Sequence, residues 1–274
     1  MSVIVLTSAC GSPGVTTTAL GLALVWHRPV LLVEADPTGG SAIAAGYLRG
    51  SIVPPEAMIE LALVSQDGQL LEALAQVSMA LPGSSARFVP GTRSHEQARS
   101  LLGLWEPLAG ALRSLDGTGQ DVIVDAGRLA LFGSPEPLID AADLALLVTR
   151  TDLVSLSGAR SWAETLRDRF EKAGAAASVG VLLVGEGAPF RAREVSRVLQ
   201  LPVVATVAWD PGHAGVLSHG AQPPRAGSLQ RLAGRSGWED SALLRSLRAA
   251  RSAITGTIRI NAAQLQGTAG GRQT

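Results

Sequence analysis

The residues with the clearest chemical potential run from Cys10 to Thr18 and read Cys-Gly-Ser-Pro-Gly-Val-Thr-Thr-Thr. Gly11 and Gly14 allow a tight turn in which successive N–H groups point into one concavity. The helix expected to begin near Thr16 adds the positive end of its dipole. The spacing therefore predicts an anion-binding loop between a strand and a helix. The alternative is a glycine-rich turn that binds nothing.

Three carboxylates are expected to lie close to this loop. Glu34 and Asp36 follow one apolar run, and Asp125 ends another. In open α/β sheets ligands bind at the carboxyl ends of the strands, and Mg²⁺ prefers oxygen ligands. A threonine hydroxyl from the loop, Thr16 or Thr17, is a further ligand of the kind such loops offer. The alternative is that these are ordinary carboxylates at strand ends.

The elements that would position these groups alternate along the chain. Seven short runs are rich in Val, Ile and Leu without polar alternation, which is typical of strands buried on both faces of a parallel sheet. They are residues 2–7, 29–35, 86–90, 121–126, 143–149, 179–185 and 202–208. Amphipathic helical segments, such as 100–115 and 155–174, lie between them. The pattern predicts an α/β fold, a three-layer sandwich around a mostly parallel twisted sheet.

The predicted domain organisation is simple. Residues 1–254 form one α/β domain, with a helical insertion at about 42–81 that contains no convincing strand. The last helix of this domain is expected to pack through Leu243, Leu244, Leu247 and Ile254. Residues 255–274 lose periodicity and are predicted to form a flexible tail.

Composition narrows the function classes. With 274 residues, 46% of them hydrophobic, the chain has enough apolar material for a sizeable core. No apolar run is long enough to span a membrane, the first residues lack a signal pattern, and Cys10 is the sole cysteine, so we expect a cytoplasmic protein. The four histidines show no metal-ligand spacing, which disfavours zinc. No serine lies in a nucleophile elbow, which disfavours a serine hydrolase.

Charge is balanced overall but unevenly placed. The net charge is zero, yet the segment from Pro211 onward has eight arginines against Glu239 and Asp240. The favoured interpretation is a solvated helix face followed by a loose tail. The alternative is a salt-sensitive contact with DNA or an anionic membrane, which would place the protein at the membrane or the nucleoid.

The loop resembles the deviant phosphate-binding loop of the ParA/MinD family of P-loop ATPases, whose pattern is Lys-Gly-Gly-x-Gly-Lys-Thr-Thr. The glycines and threonines match at Gly11, Gly14, Thr16 and Thr17. The resemblance implies a P-loop NTPase-like fold that binds ATP or ADP with Mg²⁺. It assigns the phosphates to residues Gly11, Ser12, Pro13, Gly14, Val15, Thr16 and Thr17.

Both lysines of that pattern are missing. Cys10 stands where the family has its signature lysine, which reaches across the dimer, and Val15 stands where the family has the phosphate-gripping lysine. The chain has a single lysine, Lys172, far from the loop in sequence. Arg128 and Arg150 are candidates to replace the missing charge.

The later motifs continue the resemblance. Residues 34–39 resemble the family's Asp-x-Asp-Pro-x-Gly, with Glu34 in place of the first aspartate. By resemblance, Glu34 and Asp36 are catalytic residues, while Thr16, Asp36 and Asp125 hold Mg²⁺. Asp210 and Pro211 are assigned to the nucleotide as well. The family's asparagine on the nucleobase side would fall near Gly185.

The predicted function depends on which residues of the family motifs this sequence keeps and which it lacks. Loss of two cations should slow phosphoryl transfer more than it weakens binding, because that reaction depends on charge stabilisation. We expect a degenerate member similar to the TadZ/CpaE proteins: a localisation or partitioning switch or scaffold that binds ATP or ADP weakly and hydrolyses it little. Whether it is an enzyme stays open. Protein partners and a homodimer are expected.

Three alternatives are left open. The first is an active dimerising ATPase that positions a chromosome, a septum or a secretion machine. The second is an adaptor that binds no nucleotide. The third is a ligase or kinase of the same fold group, which the sequence favours least because such chemistry needs the phosphate-binding lysine even more.

Overall fold

In the computed structural model, which describes residues 1–224 and 237–270, the seven predicted apolar runs all form strands. An eighth, short strand joins them in one sheet, with the order β3-β4-β2-β5-β1-β6-β7-β8. The strands are β1 Val3–Ser8, β2 Val30–Glu34, β3 Met79–Ala80, β4 Arg87–Val89, β5 Asp121–Arg128, β6 Leu144–Arg150, β7 Val179–Val184 and β8 Val203–Val207. Every pair is parallel except β3 with β4.

The helices lie on both faces of the sheet. They are α1 Val15–Leu24, α2 Ala57–Val64, α3 Leu70–Val77, α4 Trp105–Ser114, α5 Glu136–Asp140, α6 Leu153–Lys172, α7 Ala192–Leu199, α8 Pro211–Ser218 and α9 Ala242–Gly270. None of those in the described ranges combines the length and apolarity needed to cross a bilayer.

Successive residues of each central strand belong to two separate cores. Val3 and Val5 of β1 pack with side chains of α2 to α7, whereas Ile4 and Leu6 pack with α1, α8 and α9. Side chains of a strand point alternately to the two faces of its sheet, so a strand covered on both faces must be apolar throughout. The predicted three-layer α/β fold is therefore confirmed.

The predicted helical insertion is part of these cores. Met58 and Leu61 of α2 and Leu74 of α3 are buried in the same cluster as β1 and β2. At the start of the insertion, a π-helical turn, Ile43–Tyr47, buries Ile43 on the opposite face. The expectation that the insertion contains no strand is wrong in one detail, because α3 ends at Val77 and Met79–Ala80 pairs antiparallel with β4. A two-residue strand has too little pattern to be found from sequence.

The last helix is longer than expected. Leu243, Leu244, Leu247 and Ile254 are buried as predicted. Instead of giving way to a tail at residue 255, α9 continues to Gly270, and Asn261 Nδ2 donates to the Ala177 carbonyl at 2.7 Å. Residues 271–274 of the predicted tail lie outside the described part of the chain.

A core substitution in α9 should therefore affect the whole domain. Leu247 is fully buried and packs on Gly21 of α1, where an added Cβ would lie 2.6 Å from its Cδ1. Leu247→Ala is expected to lower the free energy of unfolding by about 2–5 kcal/mol. Ile260→Ala, in the same helix at 60% exposure, should change it by less than about 0.5 kcal/mol. Urea denaturation measures both, and equal losses would contradict this packing.

Candidate phosphate-binding site

The strand order positions the glycine-rich loop. In the sheet, β1 lies between β5 and β6. The chain connections that follow neighbouring strands diverge at the carboxyl end of β1, and ligands bind at such points in open α/β sheets. The loop turns through three residues with positive φ, Gly11 at 72°, Ser12 at 45° and Gly14 at 102°. The helix α1 begins at Val15, one residue earlier than expected, and no side chain caps it. Its first amides are therefore available to an anion.

The two positions that lack lysine are both occupied by packed side chains. Val15 is 7% exposed and belongs to the core beneath α1. Cys10 turns toward α6, where its Sγ would lie 2.3 Å from a Cβ added at Gly158. The Cys10 Sγ is also 3.9 Å from the Ser155 carbonyl. Neither side chain brings a polar group to the loop's concavity.

Asp125 is a buried carboxylate with one unused oxygen. Its Oδ1 accepts from the Gly127 amide at 3.0 Å, while its Oδ2 is buried without a hydrogen-bond partner among the described residues. Burial raises the pKa of Asp125 to about 7, an effect that the Thr16 hydroxyl and the Gly127 amide oppose and that the charges of Glu34 and Asp36 reinforce. A buried, unpaired anionic oxygen beside a loop hydroxyl fits a divalent cation.

Asp36 lies against the end of β5. Its Oδ1 accepts from the amide and the hydroxyl of Thr38, at 2.9 and 2.8 Å. A Cβ added at Gly127 would lie 2.3 Å from the Asp36 Cγ, and Gly127 has a φ of 62°. The ends of β2 and β5 thus touch, and the structure brings Asp36 and Asp125 together beside Thr16.

Glu34 is tied to the loop after β4. It is 4% exposed, and its Oε2 accepts from the Gly91 amide at 3.0 Å. Burial raises the pKa of Glu34, which the Ser41 hydroxyl and the amides of Gly91 and Ile43 partly offset. A polar cavity of about 50 Å³ separates it from Thr16 and Asp36. That volume suits one or two water molecules.

These groups adjoin a larger cleft of about 690 Å³. Its wall contains the loop from Ser12 to Thr18, Asp36, Gly127, Arg128 and the segment 207–211 at the end of β8. Gly11, Glu34 and Asp125 do not line it. Asp210 and Pro211 do line the cleft. The Asp210 carboxylate, however, caps α8 and lies 2.9 Å from the His213 Nδ1. The cleft therefore joins the loop to the predicted nucleotide segment.

The two candidate arginines have different surroundings. Arg128 is exposed in the cleft wall, and its side chain makes no hydrogen bond or ion pair with any residue that the structure describes. Arg150 lies outside that wall, with its Cζ 4.1 Å from the centre of the Trp209 ring and its Nε 3.9 Å from Asp152. Lys172 ends α6, about 30 Å along the helix from the first turn, which contacts Cys10. Of these cations, Arg128 alone faces the cleft.

Sequence reasoning missed an exposed aromatic side chain in the cleft wall. Trp209 is 54% exposed and lines it, together with Ser218 and His219 of α8 and its end. Trp209 directly precedes the recognised Asp210–Pro211 pair, and this adjacency is a signal that could have identified it.

Solved structures establish the fold. The septum site-determining protein MinD complexed with Mg-ADP from Pyrococcus horikoshii matches with a TM-score of 0.67 at 18% identity, over 95% of this chain and 98% of that one. The ATP complex of a McdA variant from Cyanothece matches with a TM-score of 0.65 at 21% identity, over 93% of this chain and 96% of that one. A chain of the MinC:MinD complex from Aquifex aeolicus matches with a TM-score of 0.64 at 16% identity, over 93% of this chain and 96% of that one.

No protein-family model and no curated protein matches the sequence. The structural likeness nevertheless spans nearly the whole of both chains in each pair. It confirms the predicted ParA/MinD-like P-loop fold.

Proposed function

We propose that this chain binds a nucleoside di- or triphosphate with Mg²⁺ in the cleft and acts as a localisation or partitioning switch or scaffold, with little or no hydrolysis. The observation that carries the proposal is the combination of an intact anion-binding loop with a buried valine at position 15. The loop amides can hold phosphate without that lysine, whereas hydrolysis needs its charge.

Nucleotide binding is supported by the shape and chemistry of the cleft. Its volume of about 690 Å³ lies in the range of small-molecule sites. The uncapped start of α1 favours negative charge at one part of its wall. The solved structures of the same fold include one with Mg-ADP and one with ATP.

The residues that would hold Mg²⁺ are Thr16, Asp36 and Asp125. The unpartnered Asp125 Oδ2 is the observation that fits a cation there. Within the described residues, no three His, Cys, Asp or Glu side chains form a metal cage. Phosphate and water oxygens would complete the coordination, as is usual for Mg²⁺, which would neutralise phosphate charge.

Slow turnover follows from the missing cations. A well-placed cation at the transferring phosphoryl group contributes about 10³–10⁵-fold in rate, and this loop lacks two lysines. Glu34 stands in place of the first aspartate of the family motif, which the resemblance assigns to orienting the attacking water, and its Oε2 accepts from the Gly91 amide. The site therefore favours holding a nucleotide over cleaving it.

A protein partner on the loop side of the molecule is supported by exposed apolar side chains. Leu153 and Val154, at the start of α6, are 69% and 81% exposed next to the segment that packs on Cys10. Such apolar side chains beside a ligand site are typical of interaction surfaces. The partner we propose is a second copy or another protein of the positioning machinery, and one of the solved structures that this chain resembles is a MinC:MinD complex.

The predicted contact with DNA or anionic lipid has less support. Arg245, Arg248 and Arg251 of α9 donate to Asp240, Glu239 and Val25 within the chain. Arg225, Arg231, Arg235 and Arg272 lie outside the described residues.

Isothermal titration with Mg-ADP and Mg-ATP, with and without EDTA, tests the proposal. We expect micromolar to millimolar dissociation constants that require Mg²⁺, and no phosphate release from the same sample. Absence of binding at millimolar nucleotide would leave the adaptor alternative. Steady turnover would support the active ATPase alternative.

Arg128 supplies a matched test of charge in the cleft. Arg128→Ala is expected to weaken Mg-ATP binding about 10-fold, because it removes a charge-assisted contact to phosphate from the cleft wall. Arg193→Ala removes an exposed arginine of α7 outside the cleft and should change the affinity by less than about 2-fold. Equal affinities of the two variants, measured by calorimetry, would show that Arg128 does not contact the phosphates.

A further inference from the structure

We propose that Trp209 is the base-binding platform of this site and holds the nucleotide base by stacking, with little preference between adenine and guanine. This inference rests on the proposed nucleotide binding and adds how the base is recognised.

The indole is placed in the cleft but is not buried in the core. Trp209 follows the end of β8, is 54% exposed, and shares the cleft wall with the loop from Ser12 to Thr18. By contrast, Trp26 and Trp105 are 6% and 1% exposed and belong to the two cores. An exposed indole is a large flat apolar surface, which is what a planar base requires.

The ring is held in position from one side. The Arg150 guanidinium lies 4.1 Å from the ring centre, and Arg150 is itself 3.9 Å from the Asp152 carboxylate. Arginine over an indole face is a favourable cation–π pair. One face of the ring is therefore covered, and the other is left for a ligand.

Gly185 makes room for this arrangement. It follows β7 with a φ of 78°, and an added Cβ would lie 3.2 Å from the Trp209 Cβ. A β-branched or bulky side chain at this position would strain the backbone, and any Cβ would crowd the Trp209 Cβ. The position to which the family resemblance assigns a base-reading asparagine thus has no side chain, and the space beside it is occupied by the indole.

Most of the polar side-chain groups near Trp209 already have hydrogen-bond partners. Asp210 accepts from the His213 amide and pairs with the His213 ring. Ser218 Oγ donates to the Ala214 carbonyl and lies 2.7 Å from the His219 Nδ1. The remaining wall here is apolar or lacks a side chain, with Val184, Val207, Pro211, Ala214, Gly215 and Leu243. Stacking does not distinguish the purines, and the contacts of Asp210 and of the Ser218 hydroxyl leave the His219 Nε2 as a ring nitrogen of the cleft wall without a hydrogen bond to a described residue.

Calorimetry with Mg-ADP, Mg-GDP and magnesium pyrophosphate tests the inference. In the wild type, ADP and GDP should bind within about 5-fold of each other. Trp209→Ala should weaken both by about 5- to 100-fold, the range for loss of one base–aromatic stack, and leave pyrophosphate within about 2-fold. Trp209→Phe should keep most of the affinity. The thermal midpoint of each variant checks that it folds.

Phe132→Ala is the matched control. Phe132 is 62% exposed with Arg99 5.5 Å from its ring centre, but it lines a different cavity. It should leave all three affinities unchanged. Unaltered ADP binding by Trp209→Ala, or a preference for one purine well above about 5-fold in the wild type, would overturn the stacking inference alone. A wild type that binds neither nucleotide nor pyrophosphate would overturn it together with the proposed function.

Discussion

Asp125→Asn is expected to stabilise the metal-free protein at alkaline pH and to abolish Mg²⁺-dependent nucleotide binding. The buried Asp125 carboxylate has one oxygen without a partner among the described residues, so its charge is costly when no cation is present. Asparagine keeps the acceptor for the Gly127 amide and carries no charge. We expect a gain on the order of 2 kcal/mol in unfolding free energy near pH 8.

The pH dependence of this gain has a definite sign. The pKa of Asp125 rises from 3.8 to about 7 in the folded protein. The folded state therefore binds a proton more readily than the unfolded state, and the wild type loses stability as pH rises from about 4 to about 7. The gain from Asp125→Asn should thus be small near pH 4 and full near pH 8.

Urea denaturation in EDTA at these two pH values measures the effect. Asp67→Asn, at an exposed carboxylate, is the control and should show no such pH dependence. A variant that is less stable than the wild type at pH 8 would contradict the picture of an uncompensated buried charge.

Gly127→Ala is expected to cost about 3 kcal/mol in unfolding free energy and to eliminate Mg²⁺-dependent nucleotide binding. A φ of 62° is strained for any residue with a Cβ, and the added methyl would meet the Asp36 carboxylate at 2.3 Å. Displacing Asp36 would also separate it from Asp125 and Thr16.

Gly50→Ala separates the effect of backbone strain from the effect of the contact with Asp36. Gly50 has a φ of 59° and nothing within 4 Å of an added Cβ. Gly50→Ala should lower the free energy of unfolding through backbone strain alone, by about 1 kcal/mol, and should keep nucleotide binding. Urea denaturation and calorimetry compare the two variants, and equal losses in both would show that the contact with Asp36 is unimportant.

Sequence patterns predicted the features that depend on local composition. The seven apolar runs became strands because both faces of the sheet are covered, and Gly11 and Gly14 turn the loop as their spacing indicates. The rule that carboxyl ends of parallel strands share one edge placed Asp36 and Asp125 together. These inferences need no knowledge of side-chain direction.

Features set by tertiary contacts could not be predicted. The helix α9 passes Thr255 and Gly256, weak helix formers, and is anchored through Leu247 in the core and Asn261 at the Ala177 carbonyl. The choice between Arg128 and Arg150 depends on where each side chain points. For Trp209, the sequence supplies its position directly before Asp210–Pro211 but does not show its exposure.

The most direct test of the central claim is phosphate release from saturating Mg-ATP, measured on the wild type after its dissociation constant is known. We predict that ATP is bound, that the oligomeric state of the protein changes when ATP binds, and that phosphate release does not exceed the protein-free blank. Sustained release by the wild type, abolished in Arg128→Ala, would contradict the account and assign Arg128 the role of the missing lysine.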